Sequence, residues 1–190
     1  MTDAARYIGG MTYPAFLTAD ELLRLNIPDK RTELIEGRLV VREPAGFRHG
    51  DVAMSLGLAL GNFVRAHDLG RVLAAETGFK LASNPDTVRA PDVAFVQKAR
   101  VPDPPPRGYP ALAPDLAVEV LSPDDRPGEV LARVGSWLRA GTRLVWVIDP
   151  DRRQARVYRE DGSESIVREV EALEGEDVLP GFEYPLADVV

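Results

Sequence analysis

The chain has 190 residues, 45% of them hydrophobic, which is enough to bury a real core in one ordinary soluble domain spanning 1–190. It has no cysteine and only two histidines, His49 and His67, which excludes thiolate metal sites, a catalytic cysteine, disulfides and a His-rich zinc centre. The net charge of −7 argues against tight non-specific nucleic-acid binding, which relies on basic surface, although acids gathered around a metal ion also enter that sum.

No apolar stretch approaches the ~20 residues needed to span a bilayer, and the first residues lack the basic-then-apolar pattern of a signal peptide. The expectation is a cytoplasmic protein with no membrane partner.

In chain order, residues 18–25 read as a short capped helix, with Thr18 at the N-cap, Glu21 at the capping-box position and Pro28 as a stop. Residues 32–41 read as a β-hairpin with Glu36-Gly37 at the bend. From His49 to Leu69, the apolar residues Val52, Leu56, Leu60, Phe63 and Val64 recur at helical spacing, with Gly70 as a C-cap. Strand-like segments follow at 71–77, 79–82, 91–97 and 115–121. The segment 98–114 carries six prolines, Pro102, Pro104, Pro105, Pro106, Pro110 and Pro114, and reads as an exposed loop without regular structure.

A second helix is predicted from about Pro127 to Ala140, burying Val130, Leu131, Val134 and Leu138 and ending at Gly141. Leu144–Ile148 is continuously apolar, as a buried parallel strand should be. Asp149-Pro150-Asp151 then turns the chain into an antiparallel hairpin, 155–159 with 164–170. This order predicts an α/β sandwich with a mixed sheet, in which 115–121, 127–140 and 143–149 form one right-handed βαβ unit.

Two acids stand out because each lies in its own strand-like apolar run: Asp92 within 89–96 and Glu119 within 114–121. An ionised carboxylate buried without a partner costs several kcal/mol, so each needs a basic side chain, or the two meet and hold a divalent cation.

Pro91-Asp92 followed by an acid in a hydrophobic strand resembles the PD-(D/E)XK motif of restriction-endonuclease-like nucleases. A longer ordered set resembles one branch, the Uma-two family of endonucleases. It comprises Glu33-Leu34-Ile35-Glu36-Gly37, an isolated His49, Pro91-Asp92-Val93, Glu119-Val120-Leu121-Ser122-Pro123, Ala140-Gly141, Trp146-Val147-Ile148-Asp149-Pro150 and Leu179-Pro180-Gly181-Phe182. The resemblance covers nearly the whole chain. It implies a mixed central sheet flanked by helices, with added N-terminal and C-terminal β-hairpins, a metal site and DNA as substrate.

The chemistry can also be argued from the residues. Phosphodiester hydrolysis needs an activated water and neutralisation of charge on the phosphate, and Mg²⁺ or Mn²⁺ held by carboxylates supplies both. Asp92 and Glu119 are the candidate ligands, with Glu76 as a third. Strand alternation puts Asp115, Ala117, Glu119 and Leu121 on one face, so the lysine position of an E-x-K pattern is Leu121 and the lysine is missing. Arg133 occupies the position from which the family's next helix often supplies a lysine. Arginine can clamp a phosphate but not act as a base. Lys80 is a second candidate, sharing a face with Glu76 if 76–80 stays extended. A metal-activated water with Arg133 as electrostatic helper is the favoured reading.

Each assignment has a structural rival: Asp92 solvated or paired with Arg89, Glu119 paired with Arg133, and Glu33 and Glu36 as ordinary hairpin acids. Only the family pattern makes Glu33 an accessory ligand, and His49 is a helix-start contact or an accessory residue. His67 reads as a solvated residue near a helix end. Ser122 to Arg126 offers backbone N–H groups to a phosphate or simply an N-cap from Ser122 or Asp125. Two functions follow: a metal-dependent DNA endonuclease, or a catalytically inactive binding or regulatory protein on the same fold, with homo-oligomers open to either.

Overall fold

Two apolar runs of the sequence lie side by side at the centre of the molecule. β9 (Leu116–Val120) and β10 (Leu144–Asp149) pair in parallel, Leu144 opposite Leu116 and Ile148 opposite Val120. Every residue of both strands is buried, which is why neither shows polar alternation. The helix joining them, α3 (Pro127–Arg139), starts on a proline at its first turn and completes the expected βαβ unit. The computed structural model describes residues 6–8, 11–13 and 16–190.

Antiparallel strands extend this pair in both directions. On one side are β11 (Gln154–Arg159) and β12 (Glu164–Arg168), the predicted C-terminal hairpin. On the other are β8 (Val93–Gln97) and, at the edge, β5 (Gly70–Ala74). The six-stranded order is β12-β11-β10-β9-β8-β5. A second, four-stranded sheet has the order β4-β3-β7-β6, built from the hairpin β3 (Arg31–Ile35) and β4 (Arg38–Arg42) with β6 (Phe79–Ala82) and β7 (Thr87–Arg89). The hairpin turns on Glu36 and Gly37, both at positive φ (49° and 76°). Two short pairs complete the fold, β1 (Arg6–Ile8) with β2 (Met11–Tyr13), and β13 (Ala172–Glu174) with β14 (Glu183–Pro185).

The long helix α2 (Phe47–Ala66) covers one face of the main sheet. Its Val52, Leu56, Leu60 and Val64 pack with Val93, Phe95, Leu116, Val118 and Trp146, and the C-terminal Leu179 and Phe182 join them. α3 covers the other face with Val130, Val134 and Trp137 against Ala94, Ala117, Val145 and Phe79. α1 (Ala19–Arg24), closed by the predicted Thr18–Glu21 capping box, packs on the hairpin.

Some expectations are corrected. Leu131 is 55% exposed, because the apolar stripe of α3 runs through Trp137 instead. The strand predicted over 71–77 stops at Ala74, and the chain turns at Glu76, whose φ is 68°. This breaks the extended run that was to bring Glu76 and Lys80 onto one face. The proline-rich loop contains one 3₁₀ turn, Lys98–Arg100, and β7 is a strand too short to show a period.

Gly70 does not cap α2. Asp68 takes the left-handed position there (φ 53°), and Gly70 opens β5 at φ 153°. A Cβ on Gly70 would sit 2.1 Å from the Val96 carbonyl oxygen. Gly70→Ala is therefore expected to lower unfolding free energy by about 1–3 kcal/mol, read by urea denaturation.

Candidate active site

The alternation of β9 sends Leu116, Val118 and Val120 under α2 and leaves Glu119 on the α3 face, at the carboxyl end of the parallel pair. Asp92 lies just ahead of β8, its N–H bonded to the Val118 carbonyl at 2.9 Å. Both acids are buried, at 4% and 6% exposure, and both line a cleft of about 480 Å³ between the two sheets. Strand-end crevices of this kind are where α/β sheets commonly hold ligands.

The two carboxylates are held differently. Asp92 Oδ2 accepts the Val120 N–H at 2.8 Å and faces His49 Nε2 at 3.1 Å, while Oδ1 accepts from Arg31 at 3.2 Å. Burial pushes this carboxyl up, but the His49 contact, the Val120 N–H and Arg31 outweigh it and hold it below the usual carboxylate range.

Glu119 Oε1 accepts the indole N–H of Trp137 at 2.8 Å, whereas the partner of Oε2 among the described residues is Arg133 Nε, 3.6 Å away. Burial dominates here, and repulsion from Asp92 and Glu33 adds to it. Arg133 and Trp137 oppose the shift without cancelling it, and the carboxyl is raised to about 7. Arg133 divides its charge, donating to Asp125 Oδ1 at 2.7 Å, while Asp125 Oδ2 accepts the Ser122 N–H at 2.9 Å. The opposite end of β9 shows what a structural acid looks like: Asp115 is bound at 2.6 Å by Arg100 and at 2.8 Å by the Gln97 N–H.

Glu33, from the second sheet, lines the same cleft. It takes Arg89 at 3.3 Å, the Ala90 N–H at 3.2 Å and Arg42 at 3.7 Å. Arg89 thus belongs to Glu33, and the basic partner of Asp92 is Arg31. His49, the third residue of α2, reaches Asp92 and is an accessory contact of the site. Glu76 is exposed at the cleft mouth, and Glu36 is exposed in the hairpin turn.

Lys80 lies outside the cleft lining, with its ammonium 2.9 Å from Asp86. The N-cap of α3 is Arg126, not Ser122 or Asp125, so Asp125 is free to position Arg133. His67 is exposed at the end of α2, with Nδ1 2.9 Å from the Phe63 carbonyl. Among the described residues no group of three or more His, Asp or Glu is placed to hold a metal ion by itself.

Sequence reasoning missed Arg31, Trp137 and Asp125 as parts of this site. Trp137 had a signal: it follows Arg133 by four residues and so shares its helix face. Arg31 had none, since it comes from another sheet.

A family model described as "Putative restriction endonuclease", Uma2, matches residues 19–187. The chain belongs to the Uma2 family. Its fold is that of a protein from Anabaena variabilis ATCC 29413, whose crystal structure is described as "a putative nuclease belonging to DUF820". The two share 23% identity with a TM-score of 0.79, over 91% of this chain and 97% of the other. No match is found among curated proteins. The restriction-endonuclease-like α/β fold implied by the sequence is therefore the fold of this Uma2 chain.

The raised acid has a consequence for stability. With a folded pKa of about 7 against 4.5, native Glu119 binds protons more tightly than the unfolded chain does. This group's contribution is thus greatest at low pH and declines as pH rises from 4.5 to about 7, by on the order of 3 kcal/mol. Glu119→Gln, which keeps shape but not charge, is expected to flatten that decline and to unfold at higher urea than wild type at pH 8. Denaturation series at pH 5 and pH 8 measure both.

Proposed function

We propose that this Uma2 chain is a magnesium- or manganese-dependent endonuclease hydrolysing DNA phosphodiester bonds, with Asp92 and Glu119 as the carboxylates that hold the metal. The observation that carries the reading is the incomplete neutralisation of Glu119: among the described residues one of its oxygens accepts no hydrogen bond and faces only the Arg133 Nε at 3.6 Å as an ion-pair partner, in a cleft it shares with Asp92. An all-oxygen donor set suits these ions, which are commonly held by one or two carboxylates together with water and substrate phosphate.

When bound, such an ion supplies Lewis acidity at the phosphoryl oxygen and a water of lowered pKa. The remaining work falls to the chain's own residues. Asp92 is kept ionised and oriented by the Val120 N–H, His49 and Arg31. Arg133, fixed by Asp125, presents its guanidinium to the cleft as a charge partner for phosphate. Glu33 serves as an accessory acid holding Arg89 and Arg42. No side-chain base is assigned, because Leu121 stands where a lysine would lie and Lys80 is committed to Asp86.

One observation favours the inactive alternative. Arg133 already sits beside Glu119 as a built-in cation, the arrangement expected of an ion pair in a binding or regulatory protein. Plasmid nicking separates the two. Cleavage is expected with Mg²⁺ or Mn²⁺ and not with EDTA, and it is expected to fall at least about a hundredfold in Asp92→Asn and Glu119→Gln, since even outer-shell losses cost 10–100-fold.

Metal affinity, followed by calorimetry, is expected to tighten as pH rises through about 7, where Glu119 gives up its proton. No cleavage and no metal uptake in the wild type would leave the binding-protein reading.

A further inference from the structure

One flank of α2 carries glycine where a helix surface usually carries side chains. Gly50, Gly57 and Gly61 follow helical spacing and share a face. A Cβ at Gly50 or Gly61 would meet nothing within 4 Å, and one at Gly57 only Val93 at 3.8 Å. This bare flank and the edge strand β5 bound a second cleft, of about 650 Å³. It shares Arg31, His49, Glu76 and Asp92 with the acidic cleft, so the two are continuous.

The charge of this groove differs from that of the chain. Arg31, Arg65 and Arg71 line it on a protein whose net charge is −7. Arg31 is committed to Asp92, but Arg65 and Arg71 are exposed, and among the described residues neither forms an ion pair. Between the cations, Met54 and Leu58 stand 59% and 52% exposed. From His49 to Arg65 the helix runs about 24 Å, at 1.5 Å per residue.

Resting on the nuclease reading, we propose that this groove carries a single strand of nucleic acid to the Asp92–Glu119 cleft, with phosphates on Arg65 and Arg71 and bases against Met54 and Leu58. Duplex DNA is read by convex elements, a helix or ribbon, entering its grooves. A concave groove with spaced cations is instead how proteins track one strand without reading its sequence. About 24 Å matches roughly seven nucleotides at a stacked spacing of about 3.4 Å, and fewer if the strand is stretched. A second copy of the chain fits less well, because a twofold contact here would bring two sets of Arg65 and Arg71 together.

The test is fluorescence anisotropy in EDTA, with labelled dT12 and the dA12·dT12 duplex as probes. The wild type is expected to bind dT12 at least tenfold more tightly than the duplex. Arg65→Glu with Arg71→Glu is expected to weaken dT12 binding at least tenfold. Replacing both by alanine should lower the salt slope by about 1.4, at about 0.7 per contact.

Gly61→Leu blocks the groove without altering charge, and leucine is the better helix former, so the variant keeps its melting temperature. It too is expected to lose at least tenfold. Equal affinity for the two probes, or unchanged binding by Gly61→Leu, overturns the proposal. So does a wild-type dimer in sedimentation velocity that Gly61→Leu converts to monomer. Metal-dependent cleavage without single-strand preference removes this inference alone. Single-strand binding without cleavage removes the nuclease reading and leaves the groove.

Discussion

The neutralisation of charge at the junction of two sheets organises the centre of this molecule. Asp92, Glu119 and Glu33 all face one cleft, and each draws its partners from a different element. Arg31 comes from the start of the hairpin, His49 from α2, Arg133 and Trp137 from α3, and Arg89 from β7. The buried carboxylates therefore tie together layers whose apolar clusters are otherwise separate. Removing one partner would leave a buried charge uncompensated, which costs far more than the loss of a surface ion pair.

Within that network the balance is uneven. Asp92 receives a backbone N–H, a histidine and an arginine, and stays ionised. Glu119 receives an indole N–H and a distant, divided guanidinium, and its carboxyl is raised to about 7. Two neighbouring acids pushed apart in pKa are a recurrent mark of functional sites, because burial and like charge are tolerated there rather than relieved. Asp115, immediately ahead of β9, shows that a buried acid here can be fully partnered.

Much of the layout was legible in the sequence, for identifiable reasons. The helical period of Val52 to Val64, the continuous apolar run at 144–148 and the capping box at Thr18 each arise from local rules that the tertiary structure had no cause to override. Asp92 and Glu119 stood out because a charge amid apolar neighbours needs compensation wherever it lands. The failures are also local in origin. The period of α3 was credited to Leu131 when Trp137 is the buried anchor, and the left-handed turn at Glu76 belongs to a residue with no strong preference for it.

The sequence by itself determined the mixed α/β plan, the βαβ unit around 116–149 and the pair of acids to watch, since these follow from periodicity and from the cost of burying charge. Only the tertiary structure decided which cation meets which acid. It assigned Arg31 to Asp92, Arg89 to Glu33, Arg133 to Glu119 and Asp125, and Lys80 to Asp86. It also set the glycine flank of α2 against the open edge of β5. The physical reason is reach: an ion pair forms between groups a few ångströms apart in space, and Arg31 and Arg89 lie 61 and 56 residues along the chain from the acids they meet.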